Sequence, residues 1–207
     1  MMEWLMQTSA LIEISICSAI VLIYFLQKVL RINIPFVIQL VLLLIVANGF
    51  FWPLGLSLEL PLAAYVRGVT GDLSITSILL LCLFLLPSRQ PHPIALKIFL
   101  VVVAIGFYPA ALGWGMLDPY AWGYGSMIFF AVVLVLAIIC GLVHWNKGVW
   151  IIGCAILAWS FHWHESTNLW DYLLDPFLVL WAAWSLASDL YSKRRARLRS
   201  GYLFRAG

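Results

Sequence analysis

The stretch FHWHESTNLWDYLLDP, residues 161–176, lies between two strongly apolar runs, and the rest of the chain is arranged around it. This polar segment holds two of the four histidines and three of the nine acidic residues. Ionisable groups are costly to place at membrane depth, and where they occur they usually mark a functional site. We therefore expect the working face of the protein to include this segment.

Composition sets the class of protein. Apolar residues make up 64% of the 207 and charged residues only 10%, whereas a soluble domain carries about a quarter charged residues. Such a chain has too few charges to cover its surface in water. The sequence predicts an all-α integral membrane protein that forms one domain over residues 1–207, because helices satisfy their own backbone hydrogen bonds within hydrocarbon.

Apolar runs divided by short polar turns predict a compact bundle of about seven transmembrane helices, of which the third and seventh are short or broken. The first run is interpreted as a retained helix because no basic residue precedes it. The predicted spans are residues 11–30, 35–56, 73–87, 94–112, 127–144, 149–162 and 169–191.

Two turns carry local expectations. Residues 59–72 are too polar to span and are expected to form a re-entrant or interfacial helix that ends at Gly71. Asp72 is then expected to cap the third span. Asp175 and Pro176 are typical of an N-cap followed by the first residue of a helix.

The basic residues predict the orientation. With seven spans and the N-terminus outside, eleven of the twelve lysines and arginines fall on the cytoplasmic side and only Arg67 falls outside. This asymmetry is the positive-inside pattern. We expect a multi-pass protein of a bacterial inner membrane, with a cytoplasmic, basic C-terminal tail that meets anionic lipids and does not bind nucleic acid.

The outer face then carries the candidate site. Imidazole, with an ordinary pKa near 6.5, and carboxylates are suited to acid–base chemistry, and a guanidinium binds phosphate or carboxylate through two parallel hydrogen bonds. The candidate catalytic residues are His162, His164, Glu165, Asp171 and Asp175. The candidate substrate-binding residues are Arg67, Glu59, Asp72 and Asn168.

Two other interpretations of these residues stay open. His162, His164 and Glu165 offer nitrogen and oxygen ligands that suit zinc or manganese. Alternatively the polar groups only cap helix ends, and Arg67 pairs with an acidic neighbour, Glu59 or Asp72. Glu13, near the outer end of the first span, either reaches the interface or faces the bundle.

No reaction motif decides whether the chain is an enzyme. The leading hypothesis is an enzyme at the outer (periplasmic) boundary that acts on a lipid-linked or phosphorylated cell-envelope substrate. The alternative is a non-catalytic subunit or assembly partner of a membrane complex for envelope biosynthesis. A small transporter is the third hypothesis, although the predicted spans show no obvious relay of ionisable residues across the bilayer.

Overall fold

A computed structural model describes residues 2–55, 58–85 and 92–203 of the chain. These residues are mostly helical, which confirms the predicted all-α class. A short 3₁₀ helix covers Tyr120–Tyr124. The α-helices are α1 (Met2–Leu30), α2 (Phe36–Phe51), α3 (Leu62–Thr70), α4 (Ile75–Leu83), α5 (Ile94–Ala111), α6 (Met127–Leu142), α7 (Asn146–Ser160), α8 (Leu169–Leu173) and α9 (Pro176–Leu203).

A small hairpin separates α2 from α3. Strands β1 (Pro53–Gly55) and β2 (Leu58–Pro61) pair antiparallel. The prediction of one helix over residues 59–72 is therefore wrong for residues 59–61, where proline closes an extended strand before α3 begins. Helix α3 does end at Gly71, whose φ of 68° is the left-handed conformation that glycine adopts without strain.

Two helical stretches, Gln7–Leu30 and Ile94–Ala111, are long and apolar enough to cross a membrane. Helices α2 and α6 are also apolar but have 16 residues each. Helix α4 has only nine residues, or about 14 Å at 1.5 Å per residue, less than half of a 30 Å hydrocarbon core. The predicted third span is thus shorter as a helix than expected, although its residues 86 and 87 lie outside the described residues.

The ends of the chain also differ from the predicted spans. Helix α1 begins at Met2, well before residue 11. The predicted seventh span is divided between α8 and α9, and Pro176 is the first residue of α9 as expected. Helix α9 continues to Leu203, so most of the basic tail is helical.

The chain divides into two compact units. The first combines Met1–Arg89 with Ala121–Asp175, and the second combines Gln90–Tyr120 with Pro176–Gly207. The expectation of a single domain remains a prediction. In the second unit, Lys97 of α5 is buried and donates a 2.6 Å hydrogen bond to Asp189 of α9, which joins the two helices.

Two apolar clusters lie among the described residues of the first unit. One is formed by α4, α6, α7 and α8, and the other by α1 and α2. Buried members of the first are Ile75, Phe129, Ile152, Leu169 and Tyr172, and those of the second are Ala19, Ile20, Ile23 and Leu43. Because α8 belongs to the first cluster, the polar segment is anchored on apolar packing.

Candidate functional site

The polar segment begins at the C-terminal end of α7. His162 has a φ of 52°, and the amide of Trp163 closes the helix by donating to the carbonyl of Ala158 at 2.9 Å. This is the Schellman arrangement, in which the left-handed position is most often glycine. The turn redirects the chain away from the α7 axis, and the His162 side chain is exposed.

Tyr172 of α8 holds the middle of the segment. Its side chain is fully buried, its hydroxyl donates to the carbonyl of Ser166 at 2.9 Å, and it accepts from the amide of His164 at 3.1 Å. Its ring stacks on the imidazole of His164, with the ring centroids 4.9 Å apart. The tyrosine therefore fixes both the backbone and the one buried imidazole of the segment.

The imidazole of His164 contacts α1. Its Nε2 lies 3.1 Å from Oε2 of Glu13, and the indole N–H of Trp163 donates to the other oxygen of the same carboxylate. His164 is buried and Glu13 is largely shielded. Glu13, whose orientation the sequence left open, thus faces the protein and binds the polar segment to the first helix.

Glu165, the residue after His164, contacts Arg67 of α3. Arg67 donates from Nε and Nη2 to the two oxygens of Asp72, at 2.6 and 2.9 Å, and from Nη2 to Glu165 at 3.1 Å. The carboxylate of Asp72, and more weakly that of Glu165, raises the pKa of the guanidinium above its ordinary value. The arginine stays charged, as a binding site for an anion requires.

The sequence predicted that Asp72 caps α4, and this prediction is wrong. Ser74 is the N-cap, with its hydroxyl accepting from the amide of Ser77. The predicted role fails because the carboxylate of Asp72 is engaged by Arg67, five residues earlier.

Asp175 lies buried against the start of α4. Its Oδ2 accepts from the amide of Ser74 at 2.9 Å, from the hydroxyl of Ser74 at 2.6 Å and from the hydroxyl of Ser77. A carboxylate at a helix N-terminus also gains from the partial positive charge of the exposed amides. Asp175 thereby connects two parts of the first unit that are 101 residues apart in sequence.

Asn168 and Asp171 organise the start of α8. The side-chain oxygen of Asn168 accepts from the amide of Trp170 at 2.9 Å and caps the helix, while Asp171 accepts from the hydroxyl of Ser166. The backbone of Gly123 lies directly against Asn168, because a Cβ placed on that glycine would be 1.7 Å from the Asn168 oxygen. Asn168, Asp171 and Asp175 are thus bonded to three different partners, Trp170, Ser166 and Ser74.

The structure therefore brings together some of the predicted site residues and separates others. Arg67, Asp72 and Glu165 form one ion-pair group. Glu59 lies on β2 and is exposed, so the pairing of Arg67 with Glu59 is wrong and that with Asp72 is correct.

The residues predicted as metal ligands have other contacts. His164 bonds to Glu13, Glu165 bonds to Arg67, and the side chain of His162 is exposed. Among the described residues, no three His, Cys, Asp or Glu side chains lie close enough together to hold a metal ion. Zinc or manganese stays a prediction that this geometry does not support.

Several contributors were not identified from the sequence. Ser74, Ser77 and Tyr172 look ordinary in a helical apolar chain, since a serine before a helix is mostly only its cap. Glu13 carried a usable signal, because it is an acid placed early in a long apolar run. The chain matches no known protein family, no curated protein and no solved structure.

Proposed function

We propose that the chain is a multi-pass inner-membrane protein with its N-terminus outside, and that its outer-boundary site binds and acts on a phosphorylated or lipid-linked cell-envelope substrate. One observation carries the proposal. The consecutive residues His164 and Glu165 bond to an acid of α1 and to the arginine of α3, which lie 151 and 98 residues away in sequence. Contacts over such distances gather ionisable groups into one place.

The distribution of polarity supports the membrane assignment. Large apolar side chains point outward from α2 and α6, such as Leu44 at 71% and Ile128 at 79% exposure, while Ser15, Gln39 and Asn168 are buried. In water this arrangement would expose a large apolar surface at a high free-energy cost. In hydrocarbon it is the favourable one, because lipid solvates the apolar faces and the polar groups are kept away from it.

Arg67 is the proposed anion-binding group. Asp72 orients the guanidinium from one side through two hydrogen bonds, and the side chain keeps 22% of its surface exposed. Within the described residues, Arg67 donates from Nε and Nη2 only, so the donors of Nη1 remain for a ligand. Phosphate suits this group because it accepts two parallel bonds from a guanidinium.

His162 is the proposed acid–base group. It is exposed and lies three residues before Glu165, and histidine is the side chain that most often serves as a general acid or base. His164 is buried and paired with Glu13, so its role in this proposal is to position the segment that carries His162 and Glu165.

A non-catalytic subunit of a membrane complex is the second candidate, and the saturation of the polar groups favours it. His164, Asn168 and Asp175 are buried and bonded within the protein. Groups of this kind stabilise a fold whether or not chemistry takes place nearby. In this case the exposed apolar faces would bind a partner as well as lipid.

Native mass spectrometry of the detergent-purified protein tests the proposal. We expect a retained phosphate-bearing molecule in the wild type and its loss in Arg67→Gln. The matched control is Lys28→Gln, which removes an exposed cation in the last turn of α1 and should keep the adduct. A wild type that carries no phosphate compound but co-purifies with one protein would contradict the enzyme and support the subunit.

A further inference from the structure

The two carboxylates on Arg67 are held very differently. Asp72 makes two bonds at 2.6 and 2.9 Å and is 25% exposed, whereas Glu165 makes one bond at 3.1 Å and is 57% exposed. Asp72 is also only five residues from Arg67 in sequence, so little chain entropy opposes its contact. Asp72 therefore holds the guanidinium firmly, whereas Glu165 is bound to it only weakly.

We propose that Glu165 occupies the position on Arg67 that a phosphate oxygen of the ligand takes, so that the ligand must displace Glu165 in order to bind. The proposal rests on the proposed function, in which Arg67 is the anion-binding group. It adds that the site carries its own competitor and that the ligand is recognised by its phosphate.

Displacement of Glu165 costs little. An exposed ion pair contributes only weakly to stability, because water solvates both partners when they separate. Within the described residues, Glu165 has no hydrogen-bond partner other than Arg67, so its side chain can turn into solvent without breaking a second contact.

The negative charge of Glu165 affects how strongly Arg67 can bind a phosphate. With Glu165 in place, Arg67 and its two carboxylates carry a net charge of about −1, which repels a phosphate. When the glutamate side chain turns away, the remaining Arg67–Asp72 pair is neutral and offers the N–H groups of Nη1 and the one N–H of Nη2 that Glu165 releases. A neutral side chain at position 165 should therefore strengthen phosphate binding, whereas a purely structural role for Glu165 gives no such gain.

The test measures inorganic phosphate binding to the full chain in phosphatidylcholine nanodiscs, from the rise in melting temperature with phosphate concentration. We expect Glu165→Gln to bind phosphate about fivefold more tightly than the wild type, as expected for removal of one competing charge near a surface. Arg67→Gln should not bind. Asp118→Asn removes an exposed carboxylate charge outside the proposed site, where Asp118 accepts from the amide of Tyr120, and should bind as the wild type does.

A second arm separates the two sources of phosphate. The same proteins are placed in nanodiscs that contain phosphatidic acid with no free phosphate. Stabilisation in this arm that is larger in Glu165→Gln and absent in Arg67→Gln identifies a lipid headgroup as the ligand. Stabilisation by inorganic phosphate alone identifies a soluble ligand, and either result supports the proposal.

The remaining outcomes show whether the competitor role of Glu165 is wrong, or whether the phosphate site at Arg67 is wrong as well. If the wild type binds phosphate and Glu165→Gln binds equally or more weakly, Glu165 is not a competitor and the inference is overturned while the proposed function stands. If none of the proteins binds phosphate in either arm, both are overturned. Phosphate binding that survives in Arg67→Gln assigns the ligand to another site and also overturns both.

Discussion

Asp175 shows how a single buried carboxylate holds remote parts of the chain together. It accepts three hydrogen bonds from Ser74 and Ser77 at the start of α4. Hydrogen bonds to a charged group contribute more than neutral ones, and a buried donor left without its acceptor is destabilising. The residue therefore contributes to the stability of the first unit, whatever its role in chemistry.

We expect Asp175→Ala to lower the free energy of unfolding by about 3 kcal/mol, because it leaves the Ser74 amide and two hydroxyls without their acceptor. An SDS titration followed by circular dichroism measures the change. Glu59→Ala, at an exposed strand position, is the control and should change stability by less than about 0.5 kcal/mol. Equal stability of Asp175→Ala and wild type would show that these bonds are not formed.

Gly123 is required by a close approach. A Cβ at this position would lie 1.7 Å from the Asn168 side-chain oxygen and 2.9 Å from a ring carbon of Trp170. We expect Gly123→Ala to destabilise the protein by about 1–3 kcal/mol, since the cap of α8 must move. Gly153→Ala, in α7 with nothing within 4 Å of the new methyl group, should be neutral or stabilising by up to about 1 kcal/mol.

Melting temperatures of the two glycine variants, measured in the same detergent, make the comparison. If Gly123→Ala melts no lower than Gly153→Ala, the contact between Gly123 and Asn168 is absent.

For single residues, the sequence indicated which are polar and where in the chain they lie, but not which residues they form hydrogen bonds or ion pairs with. The pairing of Arg67 with Asp72 was foreseeable, because the two are close in sequence. The bonds from His164 to Glu13 and from Asp175 to Ser74 were not, since they depend on how helices more than 100 residues apart pack. A single sequence carries no signal for that packing.

The turn that ends α7 leads to a testable prediction about stability. His162 occupies the left-handed position of a Schellman turn, which costs a non-glycine residue about 1 kcal/mol. We expect His162→Gly to raise the melting temperature slightly and His162→Val to lower it, because a β-branched side chain fits this conformation poorly. A lower melting temperature for His162→Gly would contradict the described turn.

The glycine variant also separates a structural role of His162 from a catalytic one. His162→Gly removes the imidazole and keeps the backbone of the polar segment in place. Loss of substrate turnover in this stable variant would assign chemistry to the side chain, and full turnover would remove His162 from the proposed site.

Element existence was largely predictable from apolar runs, and the boundaries less so. Pro176 at the start of α9 and the short helix α8 were expected from cap and proline positions. The pairing of β1 with β2 was not, because strands of three and four residues give too little alternation to detect. The late start of α4 follows from its serine cap, which places the first helical residue at Ile75.

At the scale of the whole molecule, two features support the proposal of a membrane protein. In the predicted topology the basic residues fall mostly on one side, and among the described residues many large apolar side chains are exposed while several polar ones are buried. The sequence predicted the first feature and the structure supplies the second. Only two helical stretches among the described residues are both long and apolar enough by themselves to span, so the proposed seven-span topology depends on the orientation of the other helices.

Cysteine labelling in membrane vesicles tests the central claim, that the polar segment faces the outside of a multi-pass protein. In a variant whose four native cysteines are replaced, Thr167→Cys lies in the polar segment and Asn33→Cys in the exposed turn between α1 and α2. We predict that a membrane-impermeant maleimide labels Thr167→Cys only in right-side-out vesicles and Asn33→Cys only in inverted ones. Labelling of both positions from the same side, or in both kinds of vesicle, would contradict the account.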